Sequence, residues 1–165
     1  IDSNFVEGLR VTDKETVKVV EEVLANDINK KIVEDINSSG GKAMGFAGNQ
    51  NNLITAKKLE MAVKDSDSNI EKILDLGFVG EPISINSSFI NDHIVKGIIP
   101  VIAPLGIDEK GNTYNINADT AAGAIAGALR ASKLLLLTDI AGILDENKKL
   151  ISSSFKDLTF PMIRY

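Results

Sequence analysis

The chain has 165 residues, of which 44% are hydrophobic and 25% are charged, a composition typical of one ordinary globular domain and not of a disordered or fibrous chain. Its net charge of −5 argues against binding to nucleic acid or to an anionic lipid surface. It has no cysteine and one histidine, which excludes thiol chemistry and metal sites built from several histidines, and its apolar stretches are shorter than the roughly 20 residues that a membrane helix needs.

The N-terminal part of the chain predicts two helices. Thr12 and Glu15 have the spacing of a capping box, in which a hydroxyl and a carboxylate satisfy backbone N–H groups at a helix start. Apolar side chains then recur at helical spacing, and the polar pair at 26–27 predicts a break between the first helix and the second. The glycine pair at 40–41 is a signal for the end of the second helix.

Short strands and polar loops follow these helices. Residues 42–46 and 53–54 predict two short strands on either side of the turn-rich loop 48–52, and therefore a surface hairpin. The polar segment 64–69 predicts a solvated loop, and residues 76–85 predict the next strand.

The second half of the chain alternates strands and helices. Ser87 or Ser88 is placed to cap a helix that Gly97 ends. The continuous apolar run 98–103 predicts a central strand that is buried on both faces, and the segment 106–114, which is rich in turn residues, predicts a hairpin.

The last of these elements indicate the fold class. Asn117 is placed to cap a helix over residues 119–131, and residues 133–138 predict a second buried strand. A strand, a helix and a strand at this spacing favour parallel pairing with a right-handed crossover. The sequence therefore predicts an α/β fold.

Ligands of open α/β sheets bind beyond the carboxyl ends of the strands, and the segment 114–119 holds such a position at the start of a helix, where free N–H groups attract anions. Helix capping and dipole stabilisation, worth about 1 kcal/mol, are an alternative explanation for Asn117 and Asp119. Capping does not explain Asn115, whose amide offers both a donor and an acceptor to a carboxylate or an amide of a ligand.

Two other positions are candidates for binding. The segment 138–144 directly follows the second buried strand, although Asp139 is also explained as an ordinary turn residue. Arg10 precedes the first helix, and its guanidinium has the geometry to hold a carboxylate with two hydrogen bonds. A surface ion pair is the alternative for Arg10.

Five segments extend this interpretation, because they follow one another in the order of the motifs of a known family. They are 5–13 (FVEGLRVTD), 75–80 (DLGFVG), 99–106 (IPVIAPLG), 114–119 (YNINAD) and 137–145 (LTDIAGILD). With these segments the chain resembles the N-acetylglutamate kinases of the amino acid kinase superfamily, and the resemblance covers about residues 4–151.

The resemblance implies phosphorylation of the γ-carboxylate of N-acetyl-L-glutamate by ATP with Mg2+, the second step of arginine synthesis by the acetylated route. It assigns contacts with the substrate to Arg10, Asn115 and Asn117, and to Asp119 the organisation of the catalytic lysines. It assigns no metal ligand. Seven residues would form part of the nucleotide site: Thr138, Asp139, Ile140, Ala141, Gly142, Ile143 and Leu144.

The fold implied by the resemblance is a three-layer sandwich, with a mainly parallel central sheet flanked by helices and with surface β-hairpins. Residues 1–131 would form the substrate-binding and dimerisation core, and residues 132–165 the start of the nucleotide-binding lobe. In the family, one catalytic lysine and the glycine-rich phosphate loops precede the part that corresponds to residue 1, and a second lysine follows the part that corresponds to residue 152. We therefore expect a single domain fragment of a longer enzyme, incomplete at both ends and inactive alone.

Two alternatives to this function remain at this point. One is a sister kinase that also forms an acyl phosphate, such as an aspartokinase or a glutamate 5-kinase. The other is a binding or regulatory module without catalysis, because the segments that carry the two lysines are not among these residues.

The resemblance also implies partners and a compartment. The family implies a homodimer or a larger homo-oligomer, and the apolar stripe of Val17, Val20, Val23 and Leu24 on the first helix is a candidate contact, with packing on the sheet as the alternative. Related enzymes of photosynthetic organisms bind the PII signalling protein. The expected compartment is the bacterial cytoplasm or the plastid stroma.

Overall fold

The computed structural model of this chain describes residues 5–6, 9–64 and 71–137, with side chains at 11–60 and 74–137. The helices within this part are α1 (Lys14–Glu21), α2 (Asn29–Ser38), α3 (Ser87–Ile94) and α4 (Ala118–Ala128). The strands are β1 (Phe5–Val6), β2 (Leu9–Arg10), β3 (Ala43–Ala47), β4 (Ile54–Lys64), β5 (Glu71–Ile85), β6 (Ile99–Ala103), β7 (Leu105–Ile107) and β8 (Thr113–Ile116).

The first helix begins one residue later than a cap at Thr12 predicts. Asp13 is the N-cap, and its carboxylate accepts a hydrogen bond of 2.7 Å from the backbone N–H of Thr16. Thr12 is fully buried instead. Its N–H donates to the Leu76 carbonyl at 3.0 Å, and its carbonyl accepts from the Phe78 N–H at 2.6 Å. Thr12 therefore ties the start of α1 to β5, and the carboxylate of Asp13 caps the helix.

The predicted break at 26–27 is wrong. A π-helical segment, Glu22–Ile28, continues α1 into α2 without leaving helical dihedral angles at either junction. Asn26 and Asp27 are exposed, and the Asn26 amide donates to the Glu22 carboxylate at 2.8 Å. Polar residues on the solvent face of a continuous helix give the same sequence pattern as a polar turn, which explains the error.

The predicted end of the second helix is confirmed. Gly40 has a φ of +87°, and the Gly41 N–H donates to the Ile36 carbonyl at 2.9 Å. The Gly40 N–H donates to the Asn37 carbonyl at 3.1 Å. These two bonds define the glycine-dependent helix end known as the Schellman motif.

The apolar residues that are exposed on the continuous helix are mostly not those of the predicted stripe. Val17 is buried, and Val20 and Leu24 pack against a core cluster of Ala47, Ala103 and Leu105. The large apolar side chains that remain exposed on this helix are Val19, Val23, Ile28 and Ile32. The stripe named from the sequence therefore lies mostly against the sheet.

Strands β3 and β6 form a parallel pair, in register from Ala43 beside Ile99 to Ala47 beside Ala103. The predicted hairpin of 42–46 with 53–54 is wrong, because β3 pairs with β6 and not with β4. The 98–103 strand is confirmed, but its burial on both faces is not, because Ile99 is 47% exposed. In the described part of the chain β6 has β3 as its sole strand neighbour, so it lacks the cover that a central strand receives.

Four strands close into a small barrel in the order β4, β5, β8, β7. β4 and β5 are antiparallel and include the predicted strand 76–85, whereas β5 with β8 and β4 with β7 are parallel. The predicted hairpin at 106–114 is confirmed as the antiparallel pair β7–β8. Buried side chains of the barrel join those of α3 and α4 in one core: Leu53, Ile54, Ala56, Ile90, Tyr114, Ile116 and Ala121.

The helix caps in the second half follow the prediction in part. Asn86, and not Ser87 or Ser88, caps α3, since its side-chain Oδ1 atom accepts a hydrogen bond from the Phe89 N–H at 3.2 Å. Gly97, with a φ of +72°, ends that helical stretch as predicted. Asn117 caps α4 as predicted, and the helix ends at Ala128.

The predicted buried strand 133–138 is not formed in its described part, 133–137. Leu135 is 81% exposed and Leu137 is 97% exposed. A buried strand needs a neighbour on each side and cover on both faces, and no described residue pairs with this stretch. Thr138 lies outside the described residues.

The coarse prediction of the fold is confirmed as a mixed α/β architecture with parallel strand pairs and packed helices. The closed barrel was not predicted. Among the described helices, none has the length and apolar character required to cross a bilayer.

Candidate functional site

Strand β8 separates apolar and polar side chains onto its two faces. Tyr114 and Ile116 are buried in the core, whereas Thr113 and Asn115 are half-buried. Because side chains two residues apart lie on the same face of a strand, Thr113 and Asn115 form a polar row. Asn117 follows directly at the start of α4.

Asn115 is the point at which separate segments of the chain meet. Its Cα lies beside that of Leu105 in β7 and that of Val79 in β5. The next N–H, of Ile116, donates to the Pro104 carbonyl at 3.0 Å. Residues 75–80, 99–106 and 114–119 are therefore neighbours in space.

Thr12 brings a fourth segment, 5–13, to the same place. The Asn115 Nδ2 atom lies 3.5 Å from the Thr12 hydroxyl oxygen, a long contact at the limit of a hydrogen bond. Thr12 also forms a parallel bridge with Gly77. Arg10 is two residues earlier, in β2, where its backbone pairs with Phe5, and the Arg10 side chain lies outside the described residues.

Asn117 and Asp119 occupy the N-terminal turn of α4. The Asn117 side-chain oxygen accepts hydrogen bonds from the Thr120 N–H at 3.0 Å and from the Thr120 hydroxyl at 3.2 Å. This confirms the capping role of Asn117. Asp119 is half-buried in the first turn, where a carboxylate also interacts favourably with the helix dipole.

Sequence reasoning missed a carboxylate that holds the β7–β8 hairpin. Asp108 accepts hydrogen bonds at 2.8 to 3.0 Å from the Lys110 and Asn112 N–H groups, the Asn112 amide and the Tyr114 hydroxyl. The Asn112 side-chain amide is the largest cause that lowers the pKa of Asp108 to about 2, and burial partly opposes it. Burial, together with Asp108, raises the pKa of Tyr114 above its ordinary value. The signal is the Asp-Glu-Lys-Gly-Asn run at the hairpin tip, which an ordinary turn explains equally well.

A second missed residue is Asn49, in the turn-rich loop after β3. Asn51 and Asn52 have φ values of 53° and 49°, a conformation that asparagine tolerates. Asn49 instead points inward, and its amide nitrogen donates to the Glu21 carboxylate at 2.6 Å and to the Thr113 hydroxyl at 3.0 Å. Composition alone does not distinguish this asparagine from its neighbours.

Neither the predicted nucleotide contacts nor a cluster of metal-binding side chains is found among the described residues. The seven candidate nucleotide contacts, Thr138 to Leu144, lie outside the described residues. Where side chains are described, no three carboxylate or histidine groups come together in a way that suits a metal ion.

Comparison with known proteins places the site in context. Acetylglutamate kinase of Rhodospirillum centenum is 58% identical over 151 residues, which are 92% of this chain and 50% of that protein. Acetylglutamate kinase of Afipia carboxidovorans is 55% identical over 158 residues, 95% of this chain and 54% of that protein. The chain thus spans about half the length of the curated relatives it matches.

Solved structures agree on the fold. The crystal structure of smu.665 from Streptococcus mutans superposes with a TM-score of 0.73 at 30% identity, over 88% of this chain and 55% of that one. N-acetylglutamate synthase from Neisseria gonorrhoeae, complexed with coenzyme A and N-acetyl-glutamate, superposes with a TM-score of 0.66 over 90% of this chain and 32% of that one. At 23% identity the second likeness concerns the fold alone.

The four motif segments that meet at Asn115 all lie within the part of the chain that a family model matches. That model is described as the amino acid kinase family, and it matches residues 1–160. The chain belongs to the amino acid kinase family.

Proposed function

We propose that the whole protein transfers the γ-phosphoryl group of ATP to the γ-carboxylate of N-acetyl-L-glutamate, which yields N-acetylglutamyl 5-phosphate for arginine synthesis. The observation that carries the proposal is the meeting of residues 5–13, 75–80, 99–106 and 114–119 around Asn115. The name acetylglutamate kinase, shared by relatives at 52% to 58% identity, supports this choice of substrate.

The proposed roles of the residues follow from their chemistry. The Arg10 guanidinium and the amides of Asn115 and Asn117 bind the polar groups of the acyl acceptor. Asp119 orients the lysines of the whole protein that neutralise the transferred phosphoryl group. Because the capping bonds of Asn117 occupy its side-chain oxygen, its amide N–H groups are the atoms that we assign to the substrate.

The reaction needs positioning more than covalent participation of the protein. One carboxylate oxygen of the acceptor forms a bond with the γ-phosphorus, the bond from that phosphorus to the bridging oxygen breaks, and ADP leaves. No proton needs to move. Bound together with ATP, Mg2+ would neutralise part of the phosphate charge.

For the fold, we propose a three-layer sandwich in which the β3–β6 pair belongs to a larger, mainly parallel sheet. The apolar side chains of Met44 and Ile99 on this pair are exposed, which supports the packing of additional elements against these two strands. Within it, residues 1–131 form the substrate-binding and dimerisation core, and residues 132–165 begin the nucleotide lobe, with nucleotide contacts from 138–144.

For the assembly, we propose a homodimer or a larger homo-oligomer. The exposed apolar residues of the continuous helix, Val19, Val23, Ile28 and Ile32, support a contact there. The bacterial sources of the named relatives favour the cytoplasm, with the plastid stroma as the equivalent in a plant or alga. In a photosynthetic source we add the PII protein as a partner, which rests on the resemblance alone.

The test is an assay of the whole protein with N-acetyl-L-glutamate and MgATP, in which hydroxylamine traps the acyl phosphate as a hydroxamate. We expect hydroxamate formation that depends on both substrates. Free glutamate and aspartate serve as competing acceptors, and faster turnover of either would favour a sister kinase. Calorimetric binding of N-acetyl-L-glutamate without any hydroxamate would favour a module without catalysis.

A further inference from the structure

We propose that Asn49 is a positioning residue for Asn115, and through it for the acceptor site; this inference rests on the function proposed above. Asn49 does not reach the site itself. It joins the end of α1, the loop after β3 and the start of β8, through partners that lie 28 and 64 residues away in the chain.

The contacts of Asn49 are those of a fixed buried group. The residue is only 9% exposed. Its amide nitrogen donates to the Glu21 Oε1 atom at 2.6 Å and to the Thr113 Oγ1 atom at 3.0 Å. A bond to a carboxylate is stronger than one between neutral groups, so Glu21 holds the amide and the amide holds Thr113.

The position of Thr113 determines that of Asn115. The two residues are on the same polar face of β8, separated by one core residue, Tyr114. On the far side of this row the Asn115 amide reaches Thr12, which backbone hydrogen bonds fix to β5. The row is therefore held at one end by the hydrogen bond from Asn49, and at the other end it lies beside Thr12, in the 3.5 Å contact of Asn115.

The loop that carries Asn49 has little freedom to move. The Gly48 N–H donates to the Ala103 carbonyl at 3.1 Å, and the Gly48 carbonyl accepts from the Ile54 N–H at 2.7 Å. A Cβ atom at Gly48 would collide with the Leu105 carbonyl, and Leu105 is the strand partner of Asn115. The loop is thus seated directly against the strand that flanks the site.

The environment of the Asn49 side-chain oxygen indicates that the residue does more than stabilise the fold. Its Oδ1 atom is buried and has no hydrogen-bond partner among the described residues, which is unfavourable for an amide oxygen. An apolar side chain of similar size would avoid this cost. The feature that only the amide supplies is the pair of donated bonds that fixes Thr113 relative to Glu21.

The first test compares Asn49→Leu with the wild type in the whole protein, by steady-state kinetics well below the melting temperature. We expect the KM for N-acetyl-L-glutamate to rise about tenfold, the effect of one lost hydrogen bond, with kcat and the KM for MgATP within about twofold. Gln50→Leu, an exposed neighbour in the same loop, is the matched control and should leave all three constants unchanged. A lower melting temperature with an unchanged acceptor KM would overturn the proposal.

A double-mutant cycle tests the route through Thr113. Thr113→Val removes the hydroxyl that accepts from Asn49, and Thr113→Ser keeps it. If Asn49 acts through Thr113, the double variant of Asn49→Leu and Thr113→Val should have the same acceptor KM as either single variant, and Thr113→Ser should resemble the wild type. Effects that multiply would overturn the route.

Two provisions keep the result decisive. If Asn49→Leu does not fold, Asn49→Asp keeps the shape of the side chain but replaces the donor with a second carboxylate beside Glu21, and it should raise the acceptor KM at least as much. If the wild type prefers glutamate or aspartate, the proposed function fails, and the same ratios measured with the preferred acceptor still decide the role of Asn49.

Discussion

At the scale of single residues, the sequence identified the groups whose chemistry is local and missed those whose role depends on distant neighbours. Asn115 could be singled out because capping does not explain an amide at that position of a strand. Asn49 and Asp108 could not, because an asparagine or an aspartate in a turn has an ordinary explanation until its partners are known. Those partners are Glu21 and Thr113 for Asn49, and Tyr114 for Asp108.

Asn115→Ala in the whole protein should weaken the binding of N-acetyl-L-glutamate by about 1–3 kcal/mol, the value of a lost hydrogen bond in a partly buried site. ATP binding should hardly change, since the amide is assigned to the acceptor alone. Isothermal titration calorimetry with each ligand measures both quantities. Asn91→Ala, an exposed asparagine on α3, is the control, and equal losses for the two ligands would contradict the assignment.

Asp119→Asn should act on turnover and not on acceptor affinity. If Asp119 orients lysines around the transferred phosphoryl group, its charge matters most in the transition state, and kcat should fall on the order of 10²-fold. Steady-state kinetics of the whole protein give the measurement. Asn86→Ala, which removes the cap of α3, serves for comparison, because a lost cap lowers stability by about 0.5–2 kcal/mol. If Asp119→Asn lowers only the melting temperature, Asp119 has no catalytic role.

At the scale of elements, local signals located most helices and strands, whereas pairing required the structure. The glycine pair at 40–41 and Asn117 mark helix ends through backbone geometry that the sequence encodes directly. The partner of β3 is β6, more than fifty residues later, and nothing in either strand specifies the other. The predicted hairpin is wrong because residues 42–46 and 53–54, although close in sequence, are not strand partners.

The β7–β8 hairpin offers a test by pH. The pKa of Asp108 is about 2 in the folded chain and about 3.9 in an unfolded chain, so the carboxylate stabilises the fold above the unfolded value. That stability should disappear as the pH falls from about 4 towards 2. Denaturant unfolding of the wild type and of Asp108→Asn should give a difference at pH 6 that shrinks over this range, and a difference that grows would contradict the sign.

At the scale of the whole molecule, the family was predictable because five segments keep one order over most of the chain, and the family model matches residues 1–160. The small closed barrel was not predictable from them. It depends on the parallel contacts of β5 with β8 and of β4 with β7, which join two antiparallel hairpins that the sequence presents as separate units.

The proposed assembly can be tested on the exposed side of the long helix. Val23→Glu should convert the oligomer to a smaller species, because a symmetric contact would bury two like charges without partners. Light scattering gives the mass, and circular dichroism shows that the fold is kept. Val95→Glu, on an exposed position after α3, should leave the mass unchanged. An unaltered mass for folded Val23→Glu would place the contact elsewhere.

The π-helical segment Glu22–Ile28 has a consequence for how this helix tolerates changes of length. The exposed apolar residues Val19, Val23, Ile28 and Ile32 are separated by four, five and four positions, and the wider turns of a π-helix suit the step of five. Deletion of one residue within the segment would restore ordinary α-helical turns and rotate everything that follows. Ile28 and Ile32 would then turn away from the side of the helix that carries Val19 and Val23. Asn29 would also rotate, and its amide would lose the hydrogen bond to the Val101 carbonyl. The π-helical segment thus keeps the exposed apolar residues of the helix in register with the hydrogen bond that joins it to β6.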